Sequence, residues 1–149
     1  MITPYADITF ADSYFENFLN AEEYTAEDNT TKGKALNHAT LLIDNVGFMG
    51  SKSVSTQDRQ FPRDVTRNLI PVAIQEACCE VALQLLQGFD VNDEHIDVNI
   101  ISEGYANVRT TRDTDKVPEY ISYGIPCLTA WLKIKPYLRN NRTVKLIKS

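Results

Sequence analysis

Apolar positions recur along this chain at two periods, and the change of period marks where its character shifts. Ala11, Phe15, Phe18 and Leu19 fall at steps of 0, +4, +7 and +8, one face of a short helix over about 10–20. Thr9 reads as its N-cap, with Asp12 three residues later completing a box-like start. Residues 20–29 are acidic and polar and read as a loop with one turn. Ala35, Ala39, Leu42, Ile43 and Val46, flanked by Leu36, predict a second helix over about 31–46, capped by Thr30 or Thr31 and stopped by Gly47. The stretch 48–69 then forms a loop long for a compact domain, carrying Gly50, three serines and Pro62, and loops of this kind are usually functional.

The third helix, over about 71–87, has the clearest pattern. Pro71 suits the first helical turn, where its missing N–H has no intrahelical partner. Ala73, Ile74, Ala77, Cys78, Val81, Ala82, Leu85 and Leu86 cover most of its surface, and Gly88 ends it. Glu76, Glu80, Gln84 and Gln87 keep to one stripe and read as its polar face; a helix this apolar belongs in the middle of a core. The period then drops to two. Ile96, Val98 and Ile100 alternate with polar residues, Ser102-Glu103-Gly104 turns the chain, and Tyr105–Thr111 returns, a β-hairpin at about 96–111. A last helix lies within about 121–135. Gly124 and Pro126 disturb its start, with Pro126 fitting its first turn. Cys127, Ala130, Trp131 and Ile134 form its inner face, and Pro136 stops it. The expected fold class is therefore mainly α: a small bundle of about four helices over 1–136, with an inserted β-hairpin and long loop. A tail over 137–149 extends from it, and its Val144, Leu146 and Ile147 can pair as a strand only against a partner.

A chain of 149 residues, 43% of them apolar, is enough for one domain with a real core. No apolar run approaches the roughly 20 residues that cross a bilayer, so no membrane contact is expected. Residues 1–7 show neither a basic n-region nor an apolar h-region, which predicts synthesis into a cytoplasm. Net charge is −5, unevenly spread. Residues 1–32 hold seven acids against Lys32 alone, whereas 133–149 hold six cations and no acid. Such polarity suits a protein whose ends meet different partners, or each other in neighbouring copies.

No motif for chemistry accompanies this pattern. The glycines are scattered, with no phosphate loop, no Gly-x-Ser-x-Gly and no His-Glu-x-x-His. Cys78 and Cys79 point about 100° apart on a helix, and with Cys127 they read as buried thiols. His38 and His95 have no partner at metal-ligand spacing. Neither catalytic nor metal nor cofactor residues are expected, and the chain does not read as an enzyme.

Five phrases in fixed order carry a resemblance: Thr9-Phe10-Ala11-Asp12-Ser13-Tyr14-Phe15; Gln60-Phe61-Pro62-Arg63; the helix opening Ile70-Pro71; Ile101-Ser102-Glu103; and Leu132 with Pro136-Tyr137-Leu138-Arg139. Together they resemble the head–tail connector, or adaptor, proteins of tailed bacteriophages, some of which are labelled DnaT-like single-stranded DNA-binding proteins. The resemblance implies a small helical bundle with an inserted hairpin or long loop. It implies a ring, typically a 12-mer, under the portal protein in the virion neck, made in the bacterial host cytoplasm. Such a ring extends the channel through which the encapsidated DNA passes and docks the next neck or tail-completion protein. Carried onto this chain, portal binding falls to Tyr137, Leu138, Arg139, Arg142, Val144, Lys145, Leu146, Ile147 and Lys148. The ring or neck interface falls to Phe61, Arg63, Ile100, Glu103, Tyr105, Arg109 and Arg112. Asp58-Arg59-Gln60 departs from the more apolar lead-in common before the Phe-Pro-Arg phrase. The alternative is a single-stranded nucleic-acid-binding module that uses the cations of 133–149 with Trp131 and Tyr137; the acidic balance of the chain speaks against it.

Overall fold

The computed structural model describes residues 3–90 and 118–139. The expected hairpin, with Ile100, Glu103, Tyr105, Arg109 and Arg112, lies outside the described residues, as do Arg142, Val144, Lys145, Leu146, Ile147 and Lys148 of the tail. Six α-helices make up the described part: α1 (Ile8–Phe15), α2 (Glu22–Thr25), α3 (Asn29–Asp44), α4 (Val72–Leu86), α5 (Glu119–Ser122) and α6 (Leu128–Ile134). Two 3-10 turns, Asp64–Thr66 and Lys135–Tyr137, accompany them, and strand-like pairing among the described residues is limited to isolated bridges. The mainly helical bundle expected from periodicity is what forms.

α4 is the centre. Ile74, Ala77, Cys78, Cys79, Val81, Ala82 and Leu83 are buried, and α1, α2, α3 and α6 all pack against it. Pro71 stands just before the first helical residue, as its N-cap. At the other end Gly88 takes φ +85°, Phe89 N–H reaches Gln84 C=O at 3.1 Å and Gly88 N–H reaches Leu85 C=O at 3.1 Å. This Schellman closure satisfies two of the last carbonyls, and it needs a left-handed residue at Gly88. The polar stripe of α4 is solvated toward its C-terminal end, where Gln87 is exposed, but not along its whole length. Glu80 is only 7% exposed and accepts the Tyr14 hydroxyl at 2.7 Å. Glu76 takes the Lys133 ammonium at 2.6 Å. Each carboxylate joins α4 to a covering helix, and for Glu80 that contact offsets its removal from bulk water.

Helix ends differ from expectation where a better cap lay upstream. The Asp7 carboxylate, not Thr9, caps α1 by accepting Phe10 N–H at 2.7 Å. Asp28, not Thr30 or Thr31, caps α3 by accepting Thr31 N–H at 2.7 Å. An ionised carboxylate is both a strong acceptor and a favourable charge at a helix N-terminus. α1 also ends at Phe15 rather than near residue 20, so Phe18 and Leu19 fall beyond it, and Leu19 is 90% exposed. α3 stops at Asp44, ahead of Gly47. The single last helix is in fact two. Gly124, at φ +80°, closes α5 through Ile125 N–H to Tyr120 C=O at 2.8 Å, and α6 begins only at Leu128, leaving Pro126 outside it. Ala130, Trp131 and Ile134 are buried as the periodicity requires.

Because Ile74 is fully buried, Ile74→Ala is expected to lower unfolding free energy by about 2–5 kcal/mol, read as an earlier midpoint in urea. An unchanged midpoint would place the core elsewhere.

Candidate functional site

The long loop between α3 and α4 is the most constrained irregular segment of the described fold. Its hub is Phe61, whose peptide bond to Pro62 is cis. The Phe61 ring sits edge-on to Phe48 at 4.7 Å, Tyr5 at 5.8 Å and Tyr137 at 6.0 Å between centroids. Edge-to-face aromatic contacts add to the burial energy of such rings. Tyr5 hydrogen-bonds Asp44 through its hydroxyl, which also receives Phe61 N–H at 3.2 Å. Burial first, and then the Asp44 carboxylate, push the Tyr5 phenol far above its ordinary pKa, so it stays protonated. Asp44 takes Arg59 Nη1 at 3.0 Å as well. The lead-in Asp58-Arg59-Gln60 thus docks on α3 by charge where an apolar contact is common.

Arg63 is 4% exposed, and its guanidinium makes no ion pair among the described residues. It donates instead to the backbone: Nε to Met49 C=O at 2.6 Å, Nη1 to Gln60 C=O at 3.1 Å, and Nη2 to Gly50 C=O. The planar fork suits several carbonyls at once. Gly50, at φ +75°, has no room for a side chain; a Cβ there would overlap the Asp64 carboxylate and Val65. That carboxylate accepts Ser51 N–H at 2.9 Å and Val65 N–H at 2.7 Å. The Gln57 amide ties Arg59 and Pro62 carbonyls at 2.8 and 2.9 Å.

The chain after α6 returns to this loop. Met49 N–H reaches Tyr137 C=O at 2.9 Å, Arg139 N–H reaches Gly47 C=O at 3.1 Å, and Phe48 bridges Leu138 antiparallel. The structure therefore brings five of the sequence-derived site residues together: Phe61, Arg63, Tyr137, Leu138 and Arg139. Phe61 and Arg63 are buried in their own subunit, and Tyr137 and Leu138 pack on the core as partly buried residues. Their first effect is to hold the loop, and any neighbour meets what the loop displays. The exposed apolar side chains here are Val54, Val65 and Leu69 of the loop and Val72 at the start of α4, the last three beside an open, shallow groove that also includes Arg67, Ile70 and Tyr137. Sequence reasoning passed over them, although Leu69 and Val72 are apolar residues outside the inner face of the helix that follows.

Several cations of the described surface are engaged within the domain. Lys32 pairs with Asp12 at 2.9 Å and lies 5.0 Å from the Tyr24 ring centroid. Arg59, Lys133 and Lys135 pair with Asp44, Glu76 and Glu119. Trp131, proposed with Tyr137 as a base-stacking pair, is 2% exposed and stacked on Tyr123 at 5.0 Å. Burial pushes the Cys78, Cys79 and Cys127 thiols up, away from the nucleophilic thiolate. Among the described residues no group of three or more His, Cys, Asp or Glu could hold a metal ion, and no helix is long and apolar enough to cross a membrane.

The family model described as "Putative DnaT-like ssDNA binding protein" matches residues 3–131. The chain belongs to this DnaT-like family. The matched span takes in α1 to α5 and most of α6, and the description agrees with the label attached to the resemblance and with the nucleic-acid alternative. No curated protein and no solved structure matches the chain.

Arg63→Lys is expected to cost about 1–3 kcal/mol, since an ammonium cannot span the Met49, Gln60 and Gly50 carbonyls; chemical denaturation reads the loss. Asp28 and Asp64 are each held below the ordinary carboxylate value of 3.8 by backbone N–H bonds. A lowered folded-state pKa gives stability that is present above 3.8 and lost as pH falls below it. The melting temperature of the wild type should therefore drop more steeply below that pH than that of Asp28→Asn/Asp64→Asn, and parallel curves would remove both carboxylates as the cause.

Proposed function

We propose that this protein is a structural assembly protein, the head-to-tail adaptor of a tailed bacteriophage. In this reading copies form a ring under the portal protein in the virion neck, extend the DNA channel and dock the next neck or tail-completion protein. The observation that carries the reading is how the domain uses its charge. Lys32, Arg59, Arg63 and Lys133 are held by acids or carbonyls of the same domain, while aliphatic side chains such as Leu69 and Leu132 stand in solvent. An acidic surface with exposed aliphatics is the chemistry of protein docking, and it repels rather than grips a polyanion. The ordered set of phrases from Thr9 to Arg139 supports the same reading.

The portal contact then begins where the chain leaves its own domain. Arg139 is tied to Gly47 by its backbone only, and with Arg142, Lys145 and Lys148 it offers cations to an acidic portal surface, while Val144, Leu146 and Ile147 offer alternating apolar contacts. The second reading, binding of single-stranded DNA, is favoured by the family description; on this chain it would rest on the same cations beyond Arg139.

Electron microscopy of the protein mixed with the portal of its own genome tests the first reading: a second ring stacked on the portal is expected. Removing residues 140–149 should abolish stacking and leave the melting temperature unchanged, because the bridge to Phe48 is kept. No stacking by the full chain, together with binding to single-stranded DNA that weakens steeply with salt, would replace the adaptor by the second reading.

A further inference from the structure

α4 carries a different exposed surface at each of its ends. Beside its N-terminus is the groove of Val65, Leu69, Ile70, Val72 and Tyr137, with Arg67 on its rim. Leu69 is 68% exposed. Arg67 and Asn68 both take left-handed backbone, φ 55° and 59°, an unfavourable pair for residues with side chains that turns this rim outward. The Arg67 side chain has no acid partner among the described residues, and the Asp64 carboxylate is engaged with Ser51 and Val65 N–H.

By the C-terminus of α4 the chain makes a knob. α1 has ended, Asn20 turns at φ 60°, Leu19 is left in solvent, and Phe18 shows one side to it while the other packs on Tyr14 and Phe15 at 4.6 and 5.8 Å. Acids flank them along the chain: Glu16, Glu22 and Glu23 are all exposed. Glu23 lies 3.5 Å from Gln87, one residue past the end of α4, which fixes the knob at that end. A helix of 15 residues separates the two surfaces by roughly 22 Å at 1.5 Å per residue. A knob cannot reach the groove of its own subunit.

We infer that the Phe18-Leu19 knob of one copy docks in the Val65–Leu69–Val72 groove of the next, with Arg67 facing the knob's glutamates. This deepens the adaptor reading by naming a contact between copies. The occupant follows from complementarity: one surface is apolar and flanked by acids, the other is an open, shallow apolar groove carrying Arg67, and one chain carries both. Two unlike patches at opposite ends of an axis give a head-to-tail contact, which repeats until it closes as a ring or runs on as a filament.

Sedimentation of the full-length protein over a concentration series tests this contact without the portal. The wild type is expected to self-associate. Leu19→Asp and Leu69→Glu should each weaken association by roughly tenfold or more, with melting curves like the wild type because both side chains are exposed. Mixing the two variants is the decisive step. Leu69→Glu keeps an intact knob and Leu19→Asp an intact groove, so the mixture should form a one-to-one dimer and nothing larger. Arg67→Glu should weaken association and Arg67→Glu/Glu22→Arg should restore part of it. A monomeric wild type at every concentration, variants that assemble like the wild type, or a mixture that stays monomeric would each overturn the contact. A mixed dimer from a protein whose wild type never stacks on the portal would keep the contact and remove the adaptor role.

Discussion

The burial of α4 on nearly all sides is the constraint from which the described fold follows. A helix whose buried Ile74, Ala77, Cys79 and Leu83 face different directions has no single face to hide, so it must be wrapped. Four other helices, α1, α2, α3 and α6, cover it, and those of only one or two turns are too short to be stable alone. Even its charged residues serve this end, since Glu76 and Glu80 fasten α6 and α1 to it. A water-facing glutamate would have left those seams to apolar contact alone.

What was legible in the sequence was what depends on period. The helical class, the central place of α4, its two ends and the inner face of α6 came from apolar spacing and from Pro71 and Gly88, because those signals are local. Cap identity was harder. Asp7 and Asp28 stand before the first periodic residue, and Thr9 and Thr30 offered the same chemistry in better register with the pattern. The division between α5 and α6 was misread because Gly124 looked like a disturbance inside a helix, when its left-handed backbone made it an end.

The functional residues were the least legible, for a different reason. Phe61, Arg63 and Tyr137 could be picked out as a phrase, yet whether a phrase faces inward or outward depends on partners far along the chain. Tyr5 and Phe48 enclose Phe61, and the carbonyls of Met49 and Gly50 claim Arg63. None of these pairings has a spacing rule. The same applies to charge: the cation-rich end looked free to meet a polyanion until Lys133 and Lys135 were seen against Glu76 and Glu119. The family description and the acidic balance of the chain therefore point to different ligands, and the residues beyond Arg139 are where the two readings meet.

The bridge between Phe48 and Leu138 also orders events in time. Chains leave the ribosome N-terminus first, and domains form as their parts emerge. α1 to α4 and the loop sequence are all outside before Tyr137 is made, but the loop has no partner for Met49 N–H or for the open edge of Phe61 until then. A nascent chain therefore carries an unfinished loop until residues 137–139 have been made. Order of synthesis acts as a clock, and the surface of the loop takes its final shape some seventy residues after the loop itself is translated.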